Sequence, residues 1–226
     1  DRTRLLIINS PQNPTGGVLT RSDLAMIAEL AIKHNFYVLS DEIYSQLVYD
    51  GDHQSILSID GMQDRTILLD GHSKSYAMTG WRLGYSVSTK LLADQFAKLM
   101  VNSNSCTATF TQIAGIEAMQ NSQGFVNQMR LEFKTRRDFL VRGLNDIEGI
   151  SCIMPSGAFY TFPNVTGIPM TCAEFADYLL TEAGVALLPG SSFGMFGDGY
   201  LRMSYASSID NIQEALIRID KAVSEV

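Results

Sequence analysis

Thr66-Ile67-Leu68-Leu69-Asp70-Gly71-His72-Ser73-Lys74-Ser75-Tyr76-Ala77-Met78-Thr79-Gly80-Trp81-Arg82-Leu83-Gly84-Tyr85 is the stretch on which the reading of this chain turns. It passes from a short apolar run, Thr66 to Leu69, straight into a polar segment centred on a lysine. An arginine follows eight residues later, among glycines. A run of this length and type reads as a buried strand. Thr79-Gly80 breaks any helical pattern between Lys74 and Leu83. The next apolar run, Leu83 to Val87, returns so soon that it suits an antiparallel neighbour.

Working outward, the N-terminal side repeats the theme. Leu5 to Asn9 is another strand-like run, and a Pro/Gly-rich turn, Ser10 to Gly17, follows it. Thr20-x-x-Asp23 is a helix start, and Leu24, Ile27, Ala28 and Ala31 recur at helical spacing up to His34-Asn35. Phe36 to Leu39 is the next strand. Strand, helix and strand of this length form a βαβ unit with parallel strands and a right-handed crossover. Beyond residue 89 helices dominate: Lys90 to Met100, Ala108 to Gln120 and a long amphipathic Phe125 to Asp146. The last third mixes strands (Ala158 to Phe162, Val185 to Leu188, Leu201 to Tyr205) with helices (Thr171 to Ala183, Ile209 to Val223). The predicted class is α/β, with a mostly parallel sheet in residues 1–143 and a smaller α+β domain in 144–226.

Composition narrows the field. The 226 residues are 46% hydrophobic, enough for a sizeable core. No stretch has the apolar length of a membrane span, and no secretory leader is visible. Seventeen basic against twenty-four acidic residues give a net charge of −7, which argues against a nucleic-acid footprint. The three cysteines, Cys106, Cys152 and Cys172, share no metal-like spacing and read as reduced thiols of a cytoplasmic protein. Three scattered histidines give no metal centre.

In an open parallel sheet, ligands bind beyond the carboxyl ends of the strands. Past the first strand lies Asn13, in Asn13-Pro14-Thr15-Gly16. Past the second lies Asp41, in Asp41-Glu42-Ile43-Tyr44, and past the third lies Lys74. The lysine suits an amine that forms a Schiff base, with Arg82 gripping a phosphate and Ser73 adding a hydroxyl. That combination points to pyridoxal phosphate. Asp41 would hold the pyridinium nitrogen, and Tyr44 and Asn13 would share the ring oxygen, if a helix starting at Asp41 brings Tyr44 round one turn later. Arg202, alternating with Leu201 and Met203, suits the carboxylate of an amino acid. Each residue alone has a plainer reading: a surface lysine, a helix-capping aspartate, a half-buried tyrosine, a simple turn, a rim arginine.

Taken together, the segments resemble the class I and II aminotransferases, the aspartate aminotransferase family of fold type I pyridoxal-phosphate enzymes. The matching stretches are Asn13 to Gly16, Asp41 to Tyr44, Ser73-Lys74 with Met78 to Tyr85, Pro155 to Tyr160, Pro189 to Gly194, and Arg202 to Ala206. The resemblance implies amino transfer from an amino acid, of aspartate type, to a 2-oxo acid, by a homodimer of the full-length form. It makes Lys74 the Schiff-base lysine, Asp41 the partner of the ring nitrogen, and Asn13 and Tyr44 the pair at the ring oxygen. Arg82 becomes the phosphate arginine and Arg202 the α-carboxylate arginine. A lyase of the same fold, or an aminotransferase-like sensor in a transcription regulator, shares these features.

Two departures stand out. His72 occupies a position where the family has a small or apolar residue, and is expected either to perturb the phosphate side or to pack there. The family's N-terminal elements are also missing, among them the phosphate-binding helix start and the aromatic that stacks on the ring. The chain is therefore expected to be the later part of a longer protein. By itself it is expected to bind the cofactor weakly or not at all, to be inactive, and to expose apolar surface.

Overall fold

The structure, a computed structural model, describes residues 2–226. It divides into two compact units. The first holds the segment ending at Pro11 together with Val18–Met129, and the second holds Gln12–Gly17 with Arg130–Val226.

The first unit is built on the predicted strands. β1 (Leu5–Asn9) leads through α1 (Arg21–His34) to β2 (Tyr37–Asp41), and the two strands pair in parallel from Leu5 opposite Tyr37 to Asn9 opposite Asp41. β3 (Thr66–Gly71) joins β2 in parallel, and β4 (Gly84–Val87) pairs antiparallel with β3, giving the order β1-β2-β3-β4. α1 starts on a full capping box: the Thr20 side chain accepts from the Asp23 amide, and the Asp23 carboxylate accepts from the Thr20 amide. It stops at Asn35, whose left-handed conformation (φ 52°) lets its amide reach back to the last turn. Leu24, Ala28 and Ala31, at i, i+4 and i+7, pack with Phe36, Val38, Ile56 and Met62 into the core of this unit. Burying each of the larger of these side chains stabilises the fold by about 1.5–3 kcal/mol.

Three helices follow: α2 (Lys90–Ser103), α3 (Thr109–Asn121) and the long α4 (Gln123–Asn145). Compactness parts the chain within α4, at Met129, ahead of the helix end near which the expected division falls. The reason lies in what the later turns of α4 touch. The Phe133 ring stacks 5.5 Å from Phe159, and the buried Arg137 donates to the Pro155 carbonyl at 2.8 Å, both within the second unit.

The second unit carries β5 (Tyr160–Thr161), α5 (Cys172–Thr181), β6 (Leu188–Pro189), β7 (Leu201–Ser204) and α6 (Ile209–Ser224). β7 is flanked by β5 and β6, both antiparallel to it. Tyr205 and Phe175 are fully buried here, with Leu140, Leu144, Leu179 and Ile219. The Tyr205 hydroxyl donates to the Ala158 carbonyl at 3.1 Å, which removes the penalty of burying it.

Two strands are shorter than their apolar runs suggest. Ala158 sits at φ 58°, so the chain bends there and pairing begins only at Tyr160. Val185 donates its amide to the Leu179 carbonyl after Gly184 turns at φ 65°, so it closes α5 rather than opening β6. Among the described residues no helix is long and apolar enough to cross a membrane. Leu5, Ile7 and Tyr37 lie exposed on one face of the first sheet, and Phe110, Ile113, Ile116 and Met119 are exposed on α3.

The turn Gln12–Gly17 is held in the second unit by its glycine. The Gly16 carbonyl accepts from the amides of Ser156 and Gly157 at 3.0 and 2.9 Å. A Cβ at Gly16, which has φ 69°, would collide with Pro155 and come within 2.9 Å of the Gly157 and Tyr160 carbonyls. Gly16→Ala is therefore expected to lower the unfolding free energy by about 2–4 kcal/mol in urea titrations. Gly124→Ala, in the first turn of α4 with open space around it, is expected to stabilise by about 0.5–1 kcal/mol.

Candidate active site

β2 ends at Asp41, which lies in register between Asn9 of β1 and Leu69 of β3. The Asn9 side-chain amide donates to the Asp41 carbonyl at 3.0 Å, and the Ser10 amide donates to the same oxygen at 3.1 Å. No helix begins there. The Asp41 Oδ1 accepts the Ile43 amide at 3.2 Å, as in an Asx turn, and no helix continues from it. The chain makes a turn over residues 43–46 instead, with the Ser45 amide on Glu42 O and the Leu47 amide on Tyr44 O, both at 2.8 Å. The expected helical route from Asp41 to Tyr44 is thus replaced by a tight turn, and Tyr44 is buried in it. Burial pushes the Asp41 carboxyl above its ordinary range, the Ile43 amide opposes this, and the neighbouring Glu42 charge adds to the rise.

Lys74 leaves the sheet three residues past β3. The His72 carbonyl accepts the amides of Tyr76 and Met78, and the Lys74 carbonyl accepts that of Ala77, so the lysine stands on a compact turn. Its side chain is half-buried, with Nζ 5.9 Å from the centre of the Tyr44 ring. Ser73 is half-buried beside it, its carbonyl bound by the Thr79 hydroxyl at 2.9 Å. A 3-10 turn, Thr79–Trp81, then delivers Arg82 in the left-handed conformation (φ 55°). Arg82 is exposed, gives one hydrogen bond to the Thr79 carbonyl at 3.0 Å, and borders a cleft of about 690 Å³ with Asp70 and Tyr85. Gly71 and Gly84 make the closeness of β3 and β4 here possible: a Cβ on Gly71 would lie 2.9 Å from the Gly84 Cα.

His72 packs. It is buried between the rings of Tyr76 (5.2 Å) and Tyr85 (6.1 Å), and neither ring nitrogen has a hydrogen-bond partner. Gly115 of α3 leaves the room for it, since a Cβ there would stand 3.2 Å from Nε2.

Asn13 and Arg202 belong to the second unit and meet there: Arg202 Nη1 donates to Asn13 Oδ1 at 3.1 Å. The guanidinium lies between two aromatic rings, 4.8 Å from Tyr160 and 5.0 Å from Phe193, and its buried Nε has no partner. β7 alternates as expected, with Leu201 and Met203 buried and Arg202 on the opposite face.

Two groups escaped the sequence reading. Glu42 is buried, and its carboxylate takes hydrogen bonds from Ser40, Ser55 and His53. Asp70 accepts from the Tyr85 hydroxyl at 3.2 Å; burial first, and then the Asp70 charge, pushes the Tyr85 phenol up to about 12. Only the placement of Glu42 directly after an apolar strand hinted at the first. Nothing local hinted at the second.

Chemically, the first unit offers an amine for a carbonyl group, a buried-type carboxylate for a cation, a phenol, and a guanidinium for an anion. The second offers a guanidinium and an amide suited to a carboxylate. Among the described residues no group of three or more metal-ligating side chains occurs.

Comparison with known proteins gives the family. The family profile "Aminotransferase class I and II" matches residues 1–219. The aspartate aminotransferase of Pyrococcus abyssi is 42% identical over 228 residues, covering 100% of this chain and 58% of that protein. Aromatic-amino-acid aminotransferase 2 of Thermococcus litoralis is 41% identical, over 99% of this chain and 58% of its own length. The solved aromatic aminotransferase from Pyrococcus horikoshii superposes with a TM-score of 0.96 at 42% identity, over 99% of this chain and 60% of that one. The Thermus thermophilus aspartate aminotransferase with maleate gives 0.93 at 39% identity, over 98% and 57%. The chain thus spans somewhat under three-fifths of the length of the curated relatives it matches. On fold, sequence and the order of its site segments, the chain belongs to the class I and II aminotransferase family.

Proposed function

We propose that this chain carries the cofactor lysine and the substrate arginine of a pyridoxal-phosphate-dependent aminotransferase that moves an amino group from an amino acid, of aspartate type, to a 2-oxo acid. The observation that carries the reading is the placement of Lys74. It is half-buried just past β3, with its ammonium 5.9 Å from the ring of Tyr44, in the turn that follows Asp41 on the neighbouring strand. Residues 1–143 would belong to the cofactor-binding domain and 144–226 to the small domain. A homodimer is the working assembly of this reading, supported by the exposed apolar side chains of α3. Three free cysteines, two of them buried, support a cytoplasmic setting.

The residues fit the cofactor on their own chemistry. The half-buried Asp41 carboxylate has a single hydrogen-bond donor, the Ile43 amide, so it favours a cation such as a protonated ring nitrogen. Tyr44 and Asn13 would hold the ring oxygen, and Arg82 with Ser73 the phosphate. When bound, the cofactor supplies an electron sink for the negative charge at the substrate α-carbon. Lys74 Nζ would take up and return the α-carbon proton. Arg202, held flat between Tyr160 and Phe193, would orient the substrate carboxylate with donors that Asn13 leaves over.

Borohydride reduction of the chain with excess pyridoxal phosphate, followed by peptide mapping, is expected to label Lys74 ahead of every other lysine. Labelling spread evenly over the lysines would overturn the reading. A chimera joining this chain to the part of the Pyrococcus abyssi relative that it does not match is expected to form glutamate from aspartate and 2-oxoglutarate. Lys74→Ala in that chimera should lower the rate by roughly 10,000-fold.

Asp41 links function to stability. Its pKa is raised on folding, so the protonated carboxyl favours the folded chain. That contribution is complete below the unfolded value and is lost as pH rises through the folded one. At neutral pH, Asp41→Asn is therefore expected to raise the melting temperature of the chain without cofactor, and to weaken pyridoxal phosphate trapping at Lys74 by about tenfold or more. A variant that melts lower, or traps as well as the wild type, contradicts this role.

A further inference from the structure

We propose that Glu42 is the positioning residue for Asp41 and Tyr44: its buried carboxylate, tied to Ser40, Ser55 and His53, locks the turn that presents both side chains. The inference rests on the cofactor reading above for what the turn presents, and on geometry alone for how the turn is held.

The Glu42 side chain is only 5% exposed. Oε1 accepts from the Ser40 hydroxyl at 2.9 Å and from the Ser55 hydroxyl at 2.8 Å, and Oε2 lies 2.7 Å from His53 Nε2. A buried carboxylate is tolerated only when its oxygens are satisfied in this way. The three partners come from two places. Ser40 is on β2, whereas His53 and Ser55 lie on the segment that enters the 3-10 turn Ile56–Ser58, where Ile56 is fully buried in the core. The carboxylate therefore ties the strand to that anchored segment.

The backbone of Glu42 is held as well. Its amide donates to Leu69 O at 2.9 Å, which extends the pairing of β2 with β3, and its carbonyl receives the Ser45 amide. Asp41 adjoins Glu42 and Tyr44 lies two residues on in the same turn, so pinning Glu42 restrains the backbone that carries both. The charge has a second consequence. The Glu42 carboxylate stands beside Asp41 and helps push its carboxyl up, which strengthens the demand of Asp41 for a cationic partner.

His53 shows how the lock is wired. Its Nδ1 is buried without a partner. A neutral ring with the proton on Nε2 donates to Glu42 and leaves only an acceptor unpaired, which costs less than an unpaired buried N–H. Glu42→Gln keeps the acceptor for both serines but turns an NH2 group toward His53. The ring must then accept at Nε2 and move its proton to Nδ1.

Four measurements test the lock. In Glu42→Ala, exchange of the Ile43, Ser45 and Leu47 amides is expected to speed up about tenfold or more. The Val38 amide, bonded to Arg65 O in the same sheet, should be unaffected. Ser40→Ala, which removes one donor, should give a smaller change at the same amides and covers the case in which Glu42→Ala does not fold. In Glu42→Gln, 15N NMR of His53 should show the tautomer exchanged, and 13C NMR should show the Asp41 carboxyl titrating lower than in the wild type. Pyridoxal phosphate trapping at Lys74 should need about tenfold more cofactor in Glu42→Ala. Turn amides that exchange as in the wild type in both alanine variants, or loosening spread equally to Val38, would overturn the proposal. Failure of the chimera described above, carrying wild-type Lys74, to trap pyridoxal phosphate would sink the cofactor reading and leave amide exchange and the His53 tautomer to judge the lock.

Discussion

The parallel pairing of β1, β2 and β3 is the constraint from which the first unit takes its chemistry. Parallel strands emit their chain ends from one edge of the sheet, so the residues that follow Asn9, Asp41 and Gly71 leave on the same side. The ladder also sets how far each side chain can stray. Asp41 is still inside the pairing, opposite Leu69, and inherits the rigidity of the sheet. Lys74 is three residues beyond it and depends on the hydrogen bonds of its own turn, chiefly those to the His72 carbonyl. The antiparallel return of β4 then brings Arg82 and Tyr85 back beside β3, at the cost of two glycines where the strands come closest.

The second unit solves a different problem. An arginine proposed to receive a carboxylate gains from being held in one orientation, partly dry and short of partners. Two aromatic rings at about 5 Å from the guanidinium centre provide the first two conditions. A hydrogen bond to Asn13, with the buried Nε left unpaired, provides the third. The Asn13 turn is brought into this unit by Gly16, whose carbonyl closes on the Ser156 and Gly157 amides with no room for a side chain. The residue that local pattern assigns to the end of a sheet strand is thus tied to the arginine 189 positions away.

Much of this was legible beforehand, for reasons that are local. The capping box at Thr20 and Asp23, the spacing of Leu24, Ala28 and Ala31, and the alternation around Arg202 are short-range patterns, and the structure follows them. Tyr44 marks the limit. Spacing alone puts Tyr44 one helical turn from Asp41, yet the chain makes a tight turn over residues 43–46 instead, with the Ser45 and Leu47 amides on the Glu42 and Tyr44 carbonyls. Ala158 and Val185 failed for similar reasons: a left-handed residue and a helix-closing amide removed them from strands that their side chains favoured.

By itself the amino-acid sequence determined the class of fold and the order of its elements, because hydrophobic period, caps and residue type act over a few neighbouring positions. Only the tertiary structure decided that Glu42 is held by Ser55 and His53, that Tyr85 serves Asp70, that Asn13 pairs with Arg202, and that His72 packs beneath Gly115. Those pairings join residues far apart in the chain. They exist because a buried polar group must find a partner wherever the fold has placed one, or, as with His72, be accommodated without one.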